Sequence, residues 1–212
     1  MESQTVVTEL IPLRRYVDSD NSCLFSSIAY LIDRVNFNES SKMIYRLMIA
    51  DYINDNDIDE NMLGMTKQEY REKIIQPDTW GGAIELSIFS KIFNIQIASM
   101  DVQSSRVDIF GELEEYDRRI YVIYNGVHYD PLVMNLEDGS SSETDVTIFT
   151  PEDYEKFVMF KEYVQSFKNS GDFVDLSNIN NIKCEVCTEE FFDEESALKH
   201  GQEYDHWNFK QI

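Results

Sequence analysis

The chain has 212 residues, 42% of them hydrophobic, with 40 acidic against 18 basic side chains and a formal net charge of -22. This length suits one medium-sized domain with a small appendage. The excess of acid argues against a nucleic-acid partner, because phosphate binding depends on clustered cations. No stretch approaches the roughly 18 apolar residues of a membrane helix, and no secretion signal is visible at the amino terminus. We expect a soluble, cytoplasmic protein without a membrane partner, the nucleus being the alternative location.

The first predicted helix follows the polar loop 18–22 and is apolar on most of its surface. Such a stripe predicts a central, buried helix. Cys23 lies at its amino end, where unpaired backbone amides and the positive pole of the helix dipole favour a thiolate. Cys23 is therefore a candidate nucleophile, and the alternative is a cysteine packed as a small hydrophobe. The stripe consists of Leu24, Ile28, Leu31 and Val35.

Three further helices are predicted before residue 94. A serine pair can cap the second helix, over 40–53. Thr66 and Glu69 have the spacing of a capping box, which predicts a short helix ending near Pro77. Residues 80–86 open another helix. The second helix is expected to bury Met43, Ile44, Leu47, Ile49 and Ala50.

The pattern then changes to the alternation typical of β-strands. Asn125-Gly126 is a strong turn dipeptide, which places His128 at the start of the strand that returns from the turn. Helices followed by a meander predict an α+β fold. The predicted strands are 8–17, 95–100, 107–110, 120–124 and 127–132.

The last part of the chain divides into a helix, a linker and a small unit. Pro151 is expected at the first position of a long amphipathic helix. The main domain is therefore predicted over 1–168, an asparagine-rich linker over 169–183, and a small carboxyl-terminal unit over 184–212.

The small unit has the spacing of a C2H2 zinc finger, Cys184-x2-Cys187-x12-His200-x5-His206. Two thiolates and two imidazoles can close a tetrahedron around a structural Zn²⁺, which would supply most of the stability of so short a unit. The finger holds eight acidic residues against two lysines. That charge disfavours a zinc-dependent nucleic-acid binder and favours a structural or protein-contacting finger.

One cysteine and one histidine remain outside the finger, Cys23 and His128. A thiol nucleophile needs a base, and His128 is the only neutral-pH candidate. Asp130 lies two residues on and shares a strand face with His128, so that its carboxylate can hold the useful tautomer. The alternative is a non-enzymatic adaptor, in which Cys23 is merely buried while the finger and the acidic surface bind basic proteins.

Three segments resemble, in order and spacing, the motifs of the OTU-type (ovarian tumour) cysteine proteases: DNSCLF at 20–25, WGGAIEL at 80–86 and GVHYDPL at 126–132. The resemblance implies a central mixed or antiparallel sheet flanked by helices, with a small ββα finger. It also implies a deubiquitinase, with Cys23 as nucleophile and His128 as base and later acid, and without a metal in the chemistry.

The same resemblance places Asp20 in the loop whose backbone amides form the oxyanion hole, and Asp130 in the position that orients the histidine. Which of the two matters more stays open at this point. The implied partners are ubiquitin and polyubiquitin chains, of undetermined linkage. Family members that bind an AAA segregase in protein quality control carry a ubiquitin-like module before the protease. None is visible in this sequence, so the resemblance implies segregase-linked protein quality control, and implies the segregase as a partner only through a module that this sequence does not show.

Overall fold

The computed structural model describes residues 9–56, 58–136, 141–174, 182–191, 194–204, 206–207 and 209–211. Within these ranges, a five-stranded mixed sheet lies between helices, and a smaller three-stranded sheet with one helix follows near the carboxyl end. None of the helices in the described ranges is long and apolar enough to cross a membrane.

The elements are numbered in chain order. The strands are β1 (Ile11–Arg14), β2 (Gln96–Asp101), β3 (Val107–Phe110), β4 (Arg119–Tyr124), β5 (Tyr129–Asn135), β6 (Ile182–Cys184), β7 (Glu190–Phe191) and β8 (Phe209–Gln211). The helices are α1 (Cys23–Asp33), α2 (Ser40–Asp55), α3 (Glu60–Leu63), α4 (Lys67–Ile74), α5 (Ala83–Phe93), α6 (Tyr154–Ser170) and α7 (Glu194–Tyr204).

The large sheet has the strand order β1-β5-β4-β2-β3 and is antiparallel except where β2 pairs with β4. The predicted strands form, but the predicted meander is wrong. After β3 pairs with one edge of β2, the chain crosses to the other edge, so β4 runs parallel to β2 with Ile97 opposite Ile120. The α+β class is confirmed, with a mixed sheet flanked by helices.

The two faces of the large sheet bury two separate cores, as the alternation of side chains along a strand requires. Ile97, Ile120 and Val122 face α1, α2 and α5. Ala98 and Tyr121 face the opposite way, where Phe160 of α6 packs on the sheet. Helix α1, which begins with Cys23, therefore lies in the first core, and α6 closes the second.

Helix α1 buries the predicted stripe except at its end. Leu24, Ile28 and Leu31 are at most 1% exposed, whereas Val35 is 86% exposed. The prediction is wrong for Val35 because the α-helix ends at Asp33 and a 3-10 turn directs the next residues outward.

Helix α2 buries only part of the predicted set: the prediction is confirmed for Ile49 and Ala50 and wrong for Met43, Ile44 and Leu47, which are exposed. Tyr45 is buried instead and packs against Phe89 of α5. Apolar residues occur all round this helix, so spacing alone did not identify the whole buried face. The buried residues of α2 are Ser41, Tyr45, Arg46, Ile49, Ala50 and Ile53.

Two helix starts test the sequence signals for caps. The predicted capping box forms, with Thr66 N donating to Glu69 Oε2 at 3.0 Å and Glu69 N donating to Thr66 Oγ1 at 3.2 Å. Helix α6 begins at Tyr154 rather than at Pro151, because the Asp153 carboxylate caps it by accepting a hydrogen bond from Lys156 N at 3.1 Å.

The carboxyl-terminal unit contains the expected two strands and helix, and also a third strand. The sheet order is β7-β6-β8, so β8 adds to the predicted ββα pattern. Its apolar core is small: Cys184, Phe191 and Ala197 are buried and Phe209 packs against them. Of the predicted linker, residues 175–181 lie outside the described residues.

Candidate active site

Cys23 and His128 are brought together by contacts between α1 and β5. Cys23 is the first residue of α1, and His128 directly precedes β5. The backbone N–H of Tyr129 donates to Cys23 Sγ at 3.5 Å, and Ser27 Oγ donates to the Tyr129 carbonyl at 3.0 Å. One strand residue therefore holds both the sulfur and the helix that carries it.

The turn before β5 fixes the backbone of His128. Asn125 Oδ1 accepts hydrogen bonds from Val127 N at 3.2 Å and from His128 N at 2.9 Å. Gly126 has φ +104°, and a Cβ there would lie 2.0 Å from the Val174 carbonyl oxygen. The Asn-Gly pair is therefore needed twice, for the turn conformation and for close approach of the chain after α6.

The His128 imidazole is paired with the Asp130 carboxylate, as its position two residues away predicts. His128 Nε2 lies 3.1 Å from Asp130 Oδ1, and both side chains are buried. Burial alone lowers the pKa of His128, but hydrogen bonds with Asp130 and Cys23 outweigh it and raise that pKa to about 10. The ring therefore carries a proton at neutral pH, next to the candidate nucleophile.

Arg14 anchors Asp130 from the far side. Arg14 Nε donates to Asp130 Oδ2 at 2.7 Å, and Val17 N donates to Asp130 Oδ1 at 2.9 Å. Burial alone would raise the pKa of Asp130, but its bonds to His128, Arg14 and Val17 hold that pKa below its usual value. Arg14 was not identified from the sequence, since nothing local links β1 to β5.

Asp20 organises the loop before α1 instead of contacting His128. Its Oδ1 accepts from Ser22 N at 2.8 Å, and its Oδ2 accepts from Lys42 Nζ at 2.9 Å. Its backbone carbonyl accepts from Cys23 N at 3.2 Å. Of the two predicted aspartates, only Asp130 is therefore placed to orient the imidazole.

Arg46 of α2 is a buried support of the same loop and was missed by the sequence analysis. It donates to the Asn21 carbonyl at 3.0 Å, to Ser22 Oγ at 2.9 Å and to the Ile74 carbonyl at 2.9 Å. Its guanidinium lies over the Phe25 ring, 4.1 Å from the centroid. Burial lowers the pKa of Arg46 to about 10, so the cation is retained at neutral pH.

The first turn of α1 itself carries no capping or acidic side chain. Ser22 makes no side-chain cap, and no acidic residue lies in the first turn. Cys23 therefore lies at the positive pole of the helix dipole, and a thiolate favoured by that pole stays a prediction.

The motif at residues 80–82 packs against the same loop. Trp80 Nε1 donates to Asn21 Oδ1. A Cβ on Gly81 would lie 2.6 Å from Leu24 Cδ2, so only glycine allows this approach without displacing the side chain. The motif thereby contacts both the loop before α1 and the first turn of α1.

A cleft of about 350 Å³ lies beside the imidazole. We call the described residues up to 174 the body and those from 182 onwards the finger. Residues of both regions line the cleft: Tyr16, His128 and Asp130 from the body, and Glu185, Trp207 and Phe209 from the finger. Trp207 also meets the ring of Trp80 edge-on, with centroids 5.3 Å apart. The carboxyl-terminal unit therefore contacts the candidate active site.

The four predicted metal ligands converge. The ligand atoms of Cys184, Cys187, His200 and His206 all lie within 4.8 Å of one another. His200 Nε2 is 3.4 Å from Cys187 Sγ and 3.3 Å from His206 Nδ1. Thiolates and imidazoles grouped in this way fit a four-coordinate metal ion. His200 Nδ1 lies 3.0 Å from a carboxylate oxygen of Glu189, but the pair does not have the geometry of a hydrogen bond.

Comparison with known proteins agrees with this geometry. Residues 18–135, which include Cys23, His128 and Asp130, match the OTU-like cysteine protease family. The chain is 36% identical to the Homo sapiens "Ubiquitin thioesterase OTU1", covering 99% of this chain and 61% of that protein. It is 33% identical to the Arabidopsis thaliana "OVARIAN TUMOR DOMAIN-containing deubiquitinating enzyme 2", covering 96% and 99%.

The solved structures agree as well. An ovarian tumour (OTU) domain determined in complex with ubiquitin is 28% identical and superposes with a TM-score of 0.68, over 78% of this chain and 92% of that one. The chain spans about three fifths of the human relative and nearly all of the Arabidopsis one. A buried Cys–His–Asp site on a shared fold and sequence matches over almost the whole chain lead to one conclusion: this protein belongs to the OTU-like cysteine proteases.

Proposed function

We propose that this chain is a deubiquitinase, which hydrolyses isopeptide bonds at the carboxyl terminus of ubiquitin in polyubiquitin chains. The observation that carries the proposal is that the His128 imidazole contacts Cys23 on one side and Asp130 on the other. The similarity to proteins named ubiquitin thioesterase and deubiquitinating enzyme supports the choice of substrate.

In the proposed reaction, Cys23 Sγ attacks the carbonyl carbon of the isopeptide bond. The bond to the lysine nitrogen breaks as protonated His128 gives its proton to that nitrogen, which leaves a thioester on Cys23. Water then attacks the thioester, His128 takes a proton from it, and ubiquitin departs with a free carboxylate. The family resemblance assigns the oxyanion to backbone amides of loop 20–23; Ser22 N and Cys23 N donate to Asp20 in this structure, so the substrate oxygen would replace Asp20 as their acceptor.

We assign the orienting role to Asp130 and a loop-shaping role to Asp20. The bonds of Asp130 to His128 and Arg14 support the first assignment. The bonds of Asp20 to Ser22 and Lys42 support the second.

We further propose that the finger ligands hold a structural Zn²⁺. Two sulfur and two nitrogen donors are the set that zinc prefers, and the small apolar core of the finger leaves most of its stability to the metal.

The proposed location is the cytoplasm, with the nucleus as the alternative. Three free cysteines fit a reducing compartment. Work beside an AAA segregase in protein quality control is proposed from family resemblance alone. A non-enzymatic adaptor would also suit the acidic surface, but it leaves the Cys23–His128–Asp130 arrangement without a purpose.

Reaction with a ubiquitin that carries a thiol-reactive group at its carboxyl terminus tests the function. We expect one covalent adduct per chain, located at Cys23 by mass spectrometry. Cys23→Ala should give no adduct and no turnover, whereas Cys187→Ser, which alters an exposed finger cysteine, should still react. Binding of ubiquitin without an adduct would favour the adaptor, and turnover by Cys23→Ala would exclude thiol catalysis at this residue.

A further inference from the structure

We propose that Trp207 of the finger is a positioning residue of the protease, and that it acts through Trp80 of the body on Asn21, which lies just before Cys23 in the sequence. The finger then contributes to the reaction through the conformation of loop 20–23. This inference rests on the proposed function, because it concerns how readily Cys23 reacts.

Trp80 is the link on the body side. Its indole Nε1 donates a hydrogen bond to Asn21 Oδ1. The backbone of the next residue is fixed against α1, since a Cβ on Gly81 would lie 2.6 Å from Leu24 Cδ2. The Trp80 ring itself is 37% exposed. The direction of its N–H therefore depends on what covers the ring.

Trp207 is a finger side chain that packs on this ring. The two indoles meet edge-on, with centroids 5.3 Å apart and planes at 70°. Trp207 is 5% exposed, and α7 supports it from another side, where a Cβ on Gly201 would lie 2.5 Å from its ring. A contact of this kind restricts the side-chain rotation of Trp80, so that its N–H stays directed at the loop.

The proposed metal ligands lie next to Trp207 and to its support. His206 directly precedes Trp207, and His200 directly precedes Gly201. A metal ion held by these histidines would fix both the residue that covers Trp80 and the residue behind it. A continuous series of contacts therefore runs from the ligand site to the catalytic loop, which is the physical requirement for coupling between the two.

Arg46 supports the same loop independently of the finger, and this limits the expected effect. It donates to the Asn21 carbonyl at 3.0 Å and to Ser22 Oγ at 2.9 Å. These bonds hold the loop backbone, whereas the bond from Trp80 holds the Asn21 side chain. Removal of Trp207 should therefore displace the loop without unfolding it, and lower the rate without abolishing the reaction.

Kinetics of single variants on a ubiquitin carboxyl-terminal aminocoumarin amide test the role of each ring. We expect Trp207→Ala to lower kcat about fivefold and to change KM by less than about twofold. Trp207→Phe is the matched control, because it keeps an aromatic ring on Trp80 and should recover most of the lost rate. Trp80→Phe keeps the ring but removes the N–H donor, and should also lower kcat about fivefold.

The double variant Trp80→Phe/Trp207→Ala decides whether the two residues act in series. If Trp207 acts through the Trp80 N–H, the double variant should have a kcat within about twofold of that of Trp80→Phe alone. Independent effects would multiply to a loss of about 25-fold, and this result would overturn the inference.

The Trp80 indole N–H provides a readout that needs no substrate. The chain has two tryptophans, so Trp207→Ala and Trp207→Phe each leave one indole signal in a ¹⁵N-resolved NMR spectrum. We expect the hydrogen of this group to exchange with solvent about tenfold faster in Trp207→Ala than in Trp207→Phe, because the uncovered bond opens more often. Equal exchange rates would overturn the inference.

The metal content of every variant should equal that of the wild type. If Trp207→Ala loses its metal, Trp207→Leu replaces it, because leucine keeps apolar bulk in the finger but not the edge-on ring contact. An unchanged kcat in the metal-loaded variant would overturn the inference. Failure of the wild type to cleave the amide would instead refute the proposed function, while the exchange measurement would still test the contact of Trp207 with Trp80.

Discussion

The body and the finger use different means to hold their functional side chains. The body buries two apolar cores on the faces of its sheet, and it positions Cys23 and His128 through buried ion pairs and backbone contacts. Among its described residues, the apolar core of the finger consists of Cys184, Phe191 and Ala197, with Phe209 against them. Its four converging ligands could hold a metal ion, and the proposed Zn²⁺ would replace the apolar core that so few residues cannot form.

The two regions also differ in their place relative to the proposed chemistry. Cys23, His128 and Asp130 all lie in the body, whereas the finger lines a cleft beside His128. Changes in the body should therefore alter the proposed reaction directly, while changes to the finger ligands should first alter metal binding.

The largest difference in activity is expected between two histidine variants, His128→Ala in the body and His206→Ala in the finger. Ubiquitin that ends in an aminocoumarin amide serves as the coumarin substrate. His128→Ala should lower kcat/KM for it about 1,000-fold or more, because the proton donor is lost. His206→Ala should abolish binding of one metal ion per chain and leave coumarin hydrolysis within severalfold of the wild type. Steady-state kinetics and elemental analysis provide the measurements. If soluble His206→Ala lost all coumarin hydrolysis, the two regions would not be separable in this way.

Asp130→Asn should shift the pH dependence of the reaction. Asp130 raises the pKa of His128, so its removal lowers that pKa and moves the alkaline limb of the kcat/KM profile to lower pH. We expect a loss of about 100-fold at neutral pH. Asp20→Asn is the control and should leave the alkaline limb in place. An equal shift with Asp20→Asn would show that Asp130 is not the residue that specifically orients His128.

The same pairing affects stability. The pKa of His128 in the folded protein, about 10, lies above the value of about 6.5 expected for an unfolded chain. The stabilisation is therefore complete below about pH 6.5 and is lost as the pH rises towards 10. Urea unfolding across this range should show a smaller decline for Asp130→Asn than for the wild type.

Arg46→Met tests how the body supports its catalytic loop. The substitution leaves several buried carbonyl groups without their donor, and we expect the free energy of unfolding to fall by about 3 kcal/mol, with a lower kcat. Arg106→Met, at an exposed arginine, should change it by less than about 0.5 kcal/mol. Both variants should bind metal like the wild type. Unchanged kcat in Arg46→Met would show that the loop keeps its conformation without the guanidinium.

The smallest effect concerns the net charge of -22. Ubiquitin, as the resemblance implies, presents basic residues around its binding surface, so opposite charges should speed association. Salt screens exposed charges beyond about 8 Å at physiological ionic strength. We expect kcat/KM to fall severalfold from low to moderate salt while kcat changes little. Salt-independent kcat/KM would mean that the acidity serves another purpose, such as solubility.

Local signals account for the parts of the site that the sequence predicted. Cys23 at a helix start, Asn125-Gly126 before His128, and the ligand spacing of the finger are all set within a few residues. The roles of Arg14 and Arg46 were not predicted, because their partners are distant in the chain and a buried arginine has no sequence pattern of its own. The buried face of α2 and the parallel pairing of β2 escaped because tertiary packing decides them.

The contact between Trp80 and Trp207 also has a spectroscopic consequence. The chain has only two tryptophans, and they touch each other across the boundary between body and finger. Their ultraviolet absorption and fluorescence therefore come from a single coupled pair of indoles. Release of the finger would separate the pair and change both the emission and the near-ultraviolet circular dichroism. The two tryptophans are thus an intrinsic spectroscopic probe of the contact between finger and body. The signal can be followed during metal removal without a label or a substrate.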